Sequence, residues 1–180
     1  MIRFLFRYYI LVGIVMLTPF IPHILLDNFF SRNELFQYGQ VIGYLSMIAS
    51  MLFIILGVKS YRDKVLKGKI NFKQAFLIGL NISVIGGIIV GLFTIIFVEF
   101  VDPTWNESYK AYSIEMIENN PELNRIEKDK EIENTILNLE NMQSSPIQGL
   151  LMSITVFIIG LFISIINAVV INRKTSGKIV

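Results

Sequence analysis

Four stretches of this chain carry almost no charge, at 8–26, 38–58, 72–100 and 147–171. Each is long enough to cross a bilayer, which takes about 20 mostly apolar residues for ~30 Å of hydrocarbon. None alternates apolar and polar positions with period two, as barrel strands do. The pattern therefore predicts four membrane-spanning helices. The third stretch is longer than a crossing needs, so it tilts or projects beyond the bilayer. Pro19 and Pro22 remove two backbone donors from the end of the first and predict a kink or stop there.

The loops between the stretches have their own pattern. In 102–146, Thr104-Trp105-Asn106-Glu107 has the spacing of a capping box, and Trp105, Tyr109, Tyr112 and Met116 then recur on one helical face. Asn120-Pro121-Glu122 predicts a second helix start, with Asn as N-cap and Pro in the first position. Leu123, Ile126, Ile132, Ile136, Leu139 and Met142 mark its weaker apolar face. Two amphipathic helices that cap the bundle follow from this. The loop at 59–71 is short, with Gly68 as a turn, and the Asn71/Gln74 pair is spaced to start the third span at Asn71.

Small residues recur within three spans: Gly39, Gly43, Ser46 and Ser50; Ala75, Gly79, Ser83, Gly87 and Gly91; Gly149, Ser153, Gly160, Ser164 and Ala168. Small side chains let helix backbones approach closely, which drives association in lipid. The reading is packing within one bundle rather than a dimer seam, with the third span central. The first span lacks such a stripe and is expected at the periphery.

Charge adds an orientation. Of 16 basic residues, Arg3, Arg7, Lys59, Arg62, Lys64, Lys67, Lys69, Lys73, Arg173, Lys174 and Lys178 all fall on one side of the spans. The loop at 102–146 is acidic instead. By the positive-inside rule both termini and 59–71 are cytoplasmic and 102–146 is external. The basic start resembles a signal peptide, but Pro19, Pro22 and His23 stand where a small-residue cleavage site would be, so a retained helix is expected. There is no cysteine, which excludes disulfides, thiolate metal sites and a cysteine nucleophile.

Polar residues inside spans are the candidates for chemistry. His23, Gln40, Glu99 and Gln148 all fall near the external ends of their spans, where they form a candidate polar vestibule able to bind a cation or pass a proton. Helix-end residues that reach the headgroup region give the same pattern without a function. A lone His is no metal signature. Asn81 and Asn167 lie deeper and are placed to hydrogen-bond across the bundle. The Gly86-Gly87 pair is a local weakness that close packing explains as well as hinging does. Lys59, Arg62, Lys64, Lys67 and Lys69 are candidate contacts for anionic lipid at the inner leaflet, at about 1 kcal/mol per basic residue. Trp105, Tyr109 and Tyr112 are candidate anchors for a protein partner. No nucleophile motif, HExxH or phosphate loop is present, so neither an enzyme nor a cofactor is expected, and lipid replaces nucleic acid as the partner of the basic loop.

The run Gly39-Gln40-Val41-Ile42-Gly43-Tyr44-Leu45-Ser46-Met47, then Gly57-Val58-Lys59-Ser60-Tyr61-Arg62-Asp63-Lys64, then Gly68-Lys69-Ile70-Asn71-Phe72-Lys73-Gln74-Ala75-Phe76 with Gly79, resembles a family of small four-span membrane proteins common in Bacteroidota, domain of unknown function 4199. The resemblance covers nearly the whole chain, including the helical loop after the third span and Arg173-Lys174 after the fourth. It implies the bundle fold and a bacterial inner-membrane location. The family has no established activity, so no catalytic residue carries over. An acid often stands in the family where this chain has Gln40, so a proton-linked role does not transfer to that position. Tyr44, Ser46, Tyr61, Arg62 and Asp63 are motif positions, with Arg62 and Asp63 placed to clamp the loop or hold a lipid phosphate.

The sequence thus predicts an all-α, single-domain, integral membrane four-helix bundle over 1–180 with an external pair of amphipathic helices. Its leading function is non-enzymatic, through contacts with lipid, a protein partner or a second copy. The alternative is a small transporter or ion-coupled carrier using the vestibule.

Overall fold

The computed structural model describes residues 2–176; Lys178 lies outside them, as do the side chains of Arg173 and Lys174. The described chain is helical throughout: α1 (Ile2–Leu17), α2 (Ile21–Leu25), α3 (Arg32–Lys64), α4 (Phe72–Ile96), α5 (Trp105–Glu118), α6 (Arg125–Asn141) and α7 (Ser145–Ser176). Four stretches are long and apolar enough to cross a membrane: Arg3–Leu25, Arg32–Lys64, Phe72–Val101 and Ser145–Ile171. Their outer faces expose large apolar side chains such as Phe6, Leu92 and Phe162, a surface suited to lipid. The pair α5 and α6 forms a roof over one end.

Helix ends follow from local chemistry. At Thr18–Phe20 the chain tightens into a 3-10 turn with a proline in its first positions, then resumes as α2 around Pro22, as the two missing donors require. Ser31 caps α3 in a reciprocal box with Glu34, and Asn71 caps α4 in one with Gln74. Between α3 and α4, Lys67 (φ 52°) and Gly68 (φ 85°) adopt left-handed geometry, and the Gly68 N–H donates to the Arg62 carbonyl at 2.9 Å. A π-helical turn, Phe97–Val101, extends α4.

The roof starts differently from the expectation at both of its helices. Thr104 itself has helical backbone geometry and makes no capping bond; its hydroxyl donates to Asp102 at 2.8 Å and accepts from Arg32. The second roof helix starts at Arg125, not after Asn120. Asn124 and Glu127 exchange two bonds there, whereas Asn120 accepts one, from the Glu122 N–H. The reciprocal box wins because it satisfies two orphan donors instead of one.

The closest seam is α4 against α7, and small residues make it. A Cβ on Gly149 would stand 2.6 Å from the Gly91 carbonyl oxygen, and one on Gly87 2.9 Å from the Ser153 carbonyl oxygen. Ser153 Oγ donates across the seam to the Gly87 carbonyl at 3.0 Å. The stripes predicted for these spans therefore face each other within one bundle, and α4 also packs on α1 and α3.

The first span is not peripheral. Leu5, Tyr8, Tyr9, Val12 and Met16 are buried, and α3 is the least buried of the four spans. The space for α1 comes largely from glycines on its neighbours. A Cβ on Gly86 would collide with Val12, and one on Gly57 with Ile82 beside Tyr8. These glycines lie on α3 and α4, outside the pattern of span one itself. Of the deep polar pair, Asn81 is satisfied by the Tyr9 hydroxyl of α1, while the Asn167 Nδ2 is buried without a partner.

Candidate functional site

Under the roof lies an open cavity of about 500 Å³. All four spans contribute to it. One face of α4 supplies Val90, Thr94 and Val98 at four-residue spacing, and the Thr94 hydroxyl returns to the Val90 carbonyl, so that its polar atom is satisfied within the helix. On α3, Gly39 and Gly43 let the helix approach the Pro19 turn. A Cβ on Gly39 would lie 3.4 Å from the Pro19 carbonyl oxygen.

The walls are mostly apolar, and the polar groups gather next to the roof. Gln148 Nε2 donates to Asn106 Oδ1 at 2.7 Å, and Asn106 Nδ2 donates to the Gln143 carbonyl at 3.1 Å. Lys110 Nζ pairs with Glu140 at 2.9 Å. The Gln40 amide has no hydrogen-bond partner among the described residues. His23 is buried against the rings of Trp105, at 4.6 Å between centroids, and Phe36, at 4.9 Å. Its Nδ1 is buried without a partner.

The roof is held by rings and by one charged tie. Trp105 meets Phe20 and Phe97, and Phe36 meets Trp105, Tyr109 and Tyr112, the last stacked at 5.2 Å. Such pairs contribute about 0.5–1.5 kcal/mol each beyond their buried area. Burial and the neighbouring Tyr109 raise the Tyr112 hydroxyl above its ordinary pKa. Arg32, at the start of α3, makes a two-pronged bond to Asp102, where the chain leaves α4. Arg32 also reaches Asp27 at 3.4 Å. Burial of the Asp102 carboxyl opposes ionisation, but hydrogen bonds from Arg32 and Thr104 outweigh it and hold the group below its usual range.

Three of the four vestibule candidates, His23, Gln40 and Gln148, line this cavity, and Glu99 does not. Glu99 follows the cavity-facing Val98 by one residue, on another side of the helical turn, and its exposed carboxylate accepts from the Ser145 hydroxyl at the start of α7. Trp105, Tyr109 and Tyr112 pack toward the bundle, Tyr112 buried and Trp105 and Tyr109 half-buried, so they anchor the roof to its own spans. At the far end, Lys59, Lys64, Lys67 and Lys69 are exposed. Arg62 pairs with the adjacent Asp63 at 2.6 Å. Arg7 joins that end of α1 to α3 through Ser60. Among the described residues no three His, Cys, Asp or Glu side chains converge to hold a metal ion.

Residues 8–173, all four spans and the roof, match one family model, described as "Protein of unknown function (DUF4199)". The chain belongs to the DUF4199 family. No curated protein matches this DUF4199 chain, and no solved structure does. The vestibule expectation named His23, Gln40 and Gln148 but not the apolar walls between them. Gly39 and Gly43 are a local signal for the cavity, since neither carries a side chain to fill it beside Pro19.

Proposed function

We propose that this DUF4199 protein is a non-enzymatic binding protein of the bacterial inner membrane, with both termini and the 59–71 turn in the cytoplasm and the roof outside. The cavity carries this reading. Its volume lies within the roughly 300–1,000 Å³ of small-molecule sites, and every span together with both roof helices contributes to its walls. The one-sided distribution of basic residues supports the orientation. The exposed lysines next to the turn add a contact for anionic lipid.

The test is purification of the full chain in mild detergent with native lipids retained, followed by native mass spectrometry. A stoichiometric bound molecule is expected. A chain that emerges empty under conditions that keep it folded overturns the reading.

A carrier is the second reading, favoured by His23, Gln40 and Gln148 sharing one open space. Flux of a bound solute through liposomes, as opposed to retention without flux, separates the two.

A further inference from the structure

We propose that the cavity takes a single-chain membrane amphiphile with an oxygen-acceptor head, of the fatty-acid type, admitted sideways from the bilayer between α3 and α7. This rests on the binding reading above and names its ligand class.

The route follows from which wall residues are exposed. Gln40 and Tyr44 of α3 and Leu151 and Met152 of α7 both line the cavity and face outward. They lie within the spanning segments, so the opening faces lipid. At the end of the bundle the half-buried Tyr109 and Leu139 of the roof helices line the cavity. A molecule dissolved in the bilayer therefore has a direct path into the cavity.

The shape of the polarity fixes the orientation of the ligand. Met47, Val90 and Leu151 make an apolar lower wall, a match for a hydrocarbon chain. The amides and Lys110 lie at the roof, a match for a head. The lining contains Lys110, which pairs with Glu140, and no carboxylate, so the head that suits it accepts hydrogen bonds. The exposed Gln40 amide, without a hydrogen-bond partner among the described residues, supplies a donor. The volume sets the number of chains. A space of about 500 Å³ is in the range of sites for one small ligand, which favours one chain with its head over the two chains of a phospholipid.

Trp105, the only tryptophan of the chain, lines the cavity at the head end and reports on it directly. The full chain in dioleoyl-phosphatidylcholine nanodiscs is titrated with stearic acid carrying a nitroxide at carbon 5 or at carbon 16. The carbon-5 label is expected to quench Trp105 saturably and more strongly than the carbon-16 label, and unlabelled stearic acid is expected to reverse it. Gly43→Leu fills the cavity wall at a position where a Cβ meets nothing closer than 3.7 Å. It is expected to weaken quenching by about tenfold in concentration with the melting temperature unchanged. Should that variant fail to fold, Thr155→Phe on the opposite wall takes its place. Quenching that is linear, not reversed by competitor and equal in the variant overturns the proposal. A two-chain lipid or a soluble molecule found by native mass spectrometry also overturns it while leaving the binding reading intact. An empty chain without saturable quenching overturns both.

Discussion

Arg32 and Asp102 join the first turn of α3 to the segment that leads from α4 into the roof, two points 70 positions apart in the chain. The bond fixes where the roof sits, because Thr104 shares both partners. The Asp102 carboxyl titrates below its ordinary range, so its stabilising effect is complete above about pH 4 and is lost as pH falls through the lowered value. Acidification is expected to loosen the roof before the spans, seen as faster amide exchange in α5 at low pH. Asp102→Asn is expected to show that faster exchange already at neutral pH. Equal exchange in the two proteins at pH 7 would remove the tie from the account.

The α4–α7 seam predicts an asymmetry between glycines. Gly149→Ala puts a methyl group against the Gly91 backbone and Ile95 and is expected to cost about 1–3 kcal/mol by overpacking. Gly43→Ala, with its nearest neighbour at 3.7 Å, is expected to leave stability unchanged. Thermal unfolding in one detergent compares them.

Phe36 is buried among Trp105, Tyr109, Tyr112 and His23. Its replacement by alanine is expected to cost about 3–5 kcal/mol and to free the roof. Protease cleavage at the 119–124 turn should then accelerate. Unchanged cleavage would show that the rings do not hold the roof down.

Much of this was legible in the sequence, and the gaps have physical causes. Asn71 and Gln74 announced the start of α4 because a capping box is a local device. Ser31 and Glu34 have the same spacing, yet a span judged by hydropathy begins only at residue 38, so the polar first turn of α3 was missed. The face shared by Trp105, Tyr109 and Tyr112 was readable as a face. Whether it looked into the bundle or away from it depended on Phe36, a residue about 70 positions earlier. Likewise Glu99 and Val98 are adjacent in sequence and indistinguishable in depth, and only the direction of the α4 face separates the wall residue from the outward one.

That separation gives a further prediction. Glu99→Gln is expected to leave ligand binding at Trp105 unaltered, because Glu99 bonds Ser145 and stays off the cavity. A lost or pH-shifted fluorescence response in this variant would restore Glu99 to the site.

The orientation is open to a clean chemical test, since the chain has no native cysteine. A single cysteine at Glu131 in α6 is expected to react with an impermeant maleimide on intact cells, and one at Lys69 only after lysis. The reverse labelling would invert the topology.

The seam between α4 and α7 also dictates an order of events during synthesis. Its two halves are separated by the whole roof, so α4 leaves the ribosome well before its best partner exists. At about 5–20 residues per second, the glycine-lined side of α4 waits for several seconds with only α1 and α3 beside it. The nascent protein therefore passes through a three-helix stage with an open groove in the membrane, and the arrival of α7 closes it.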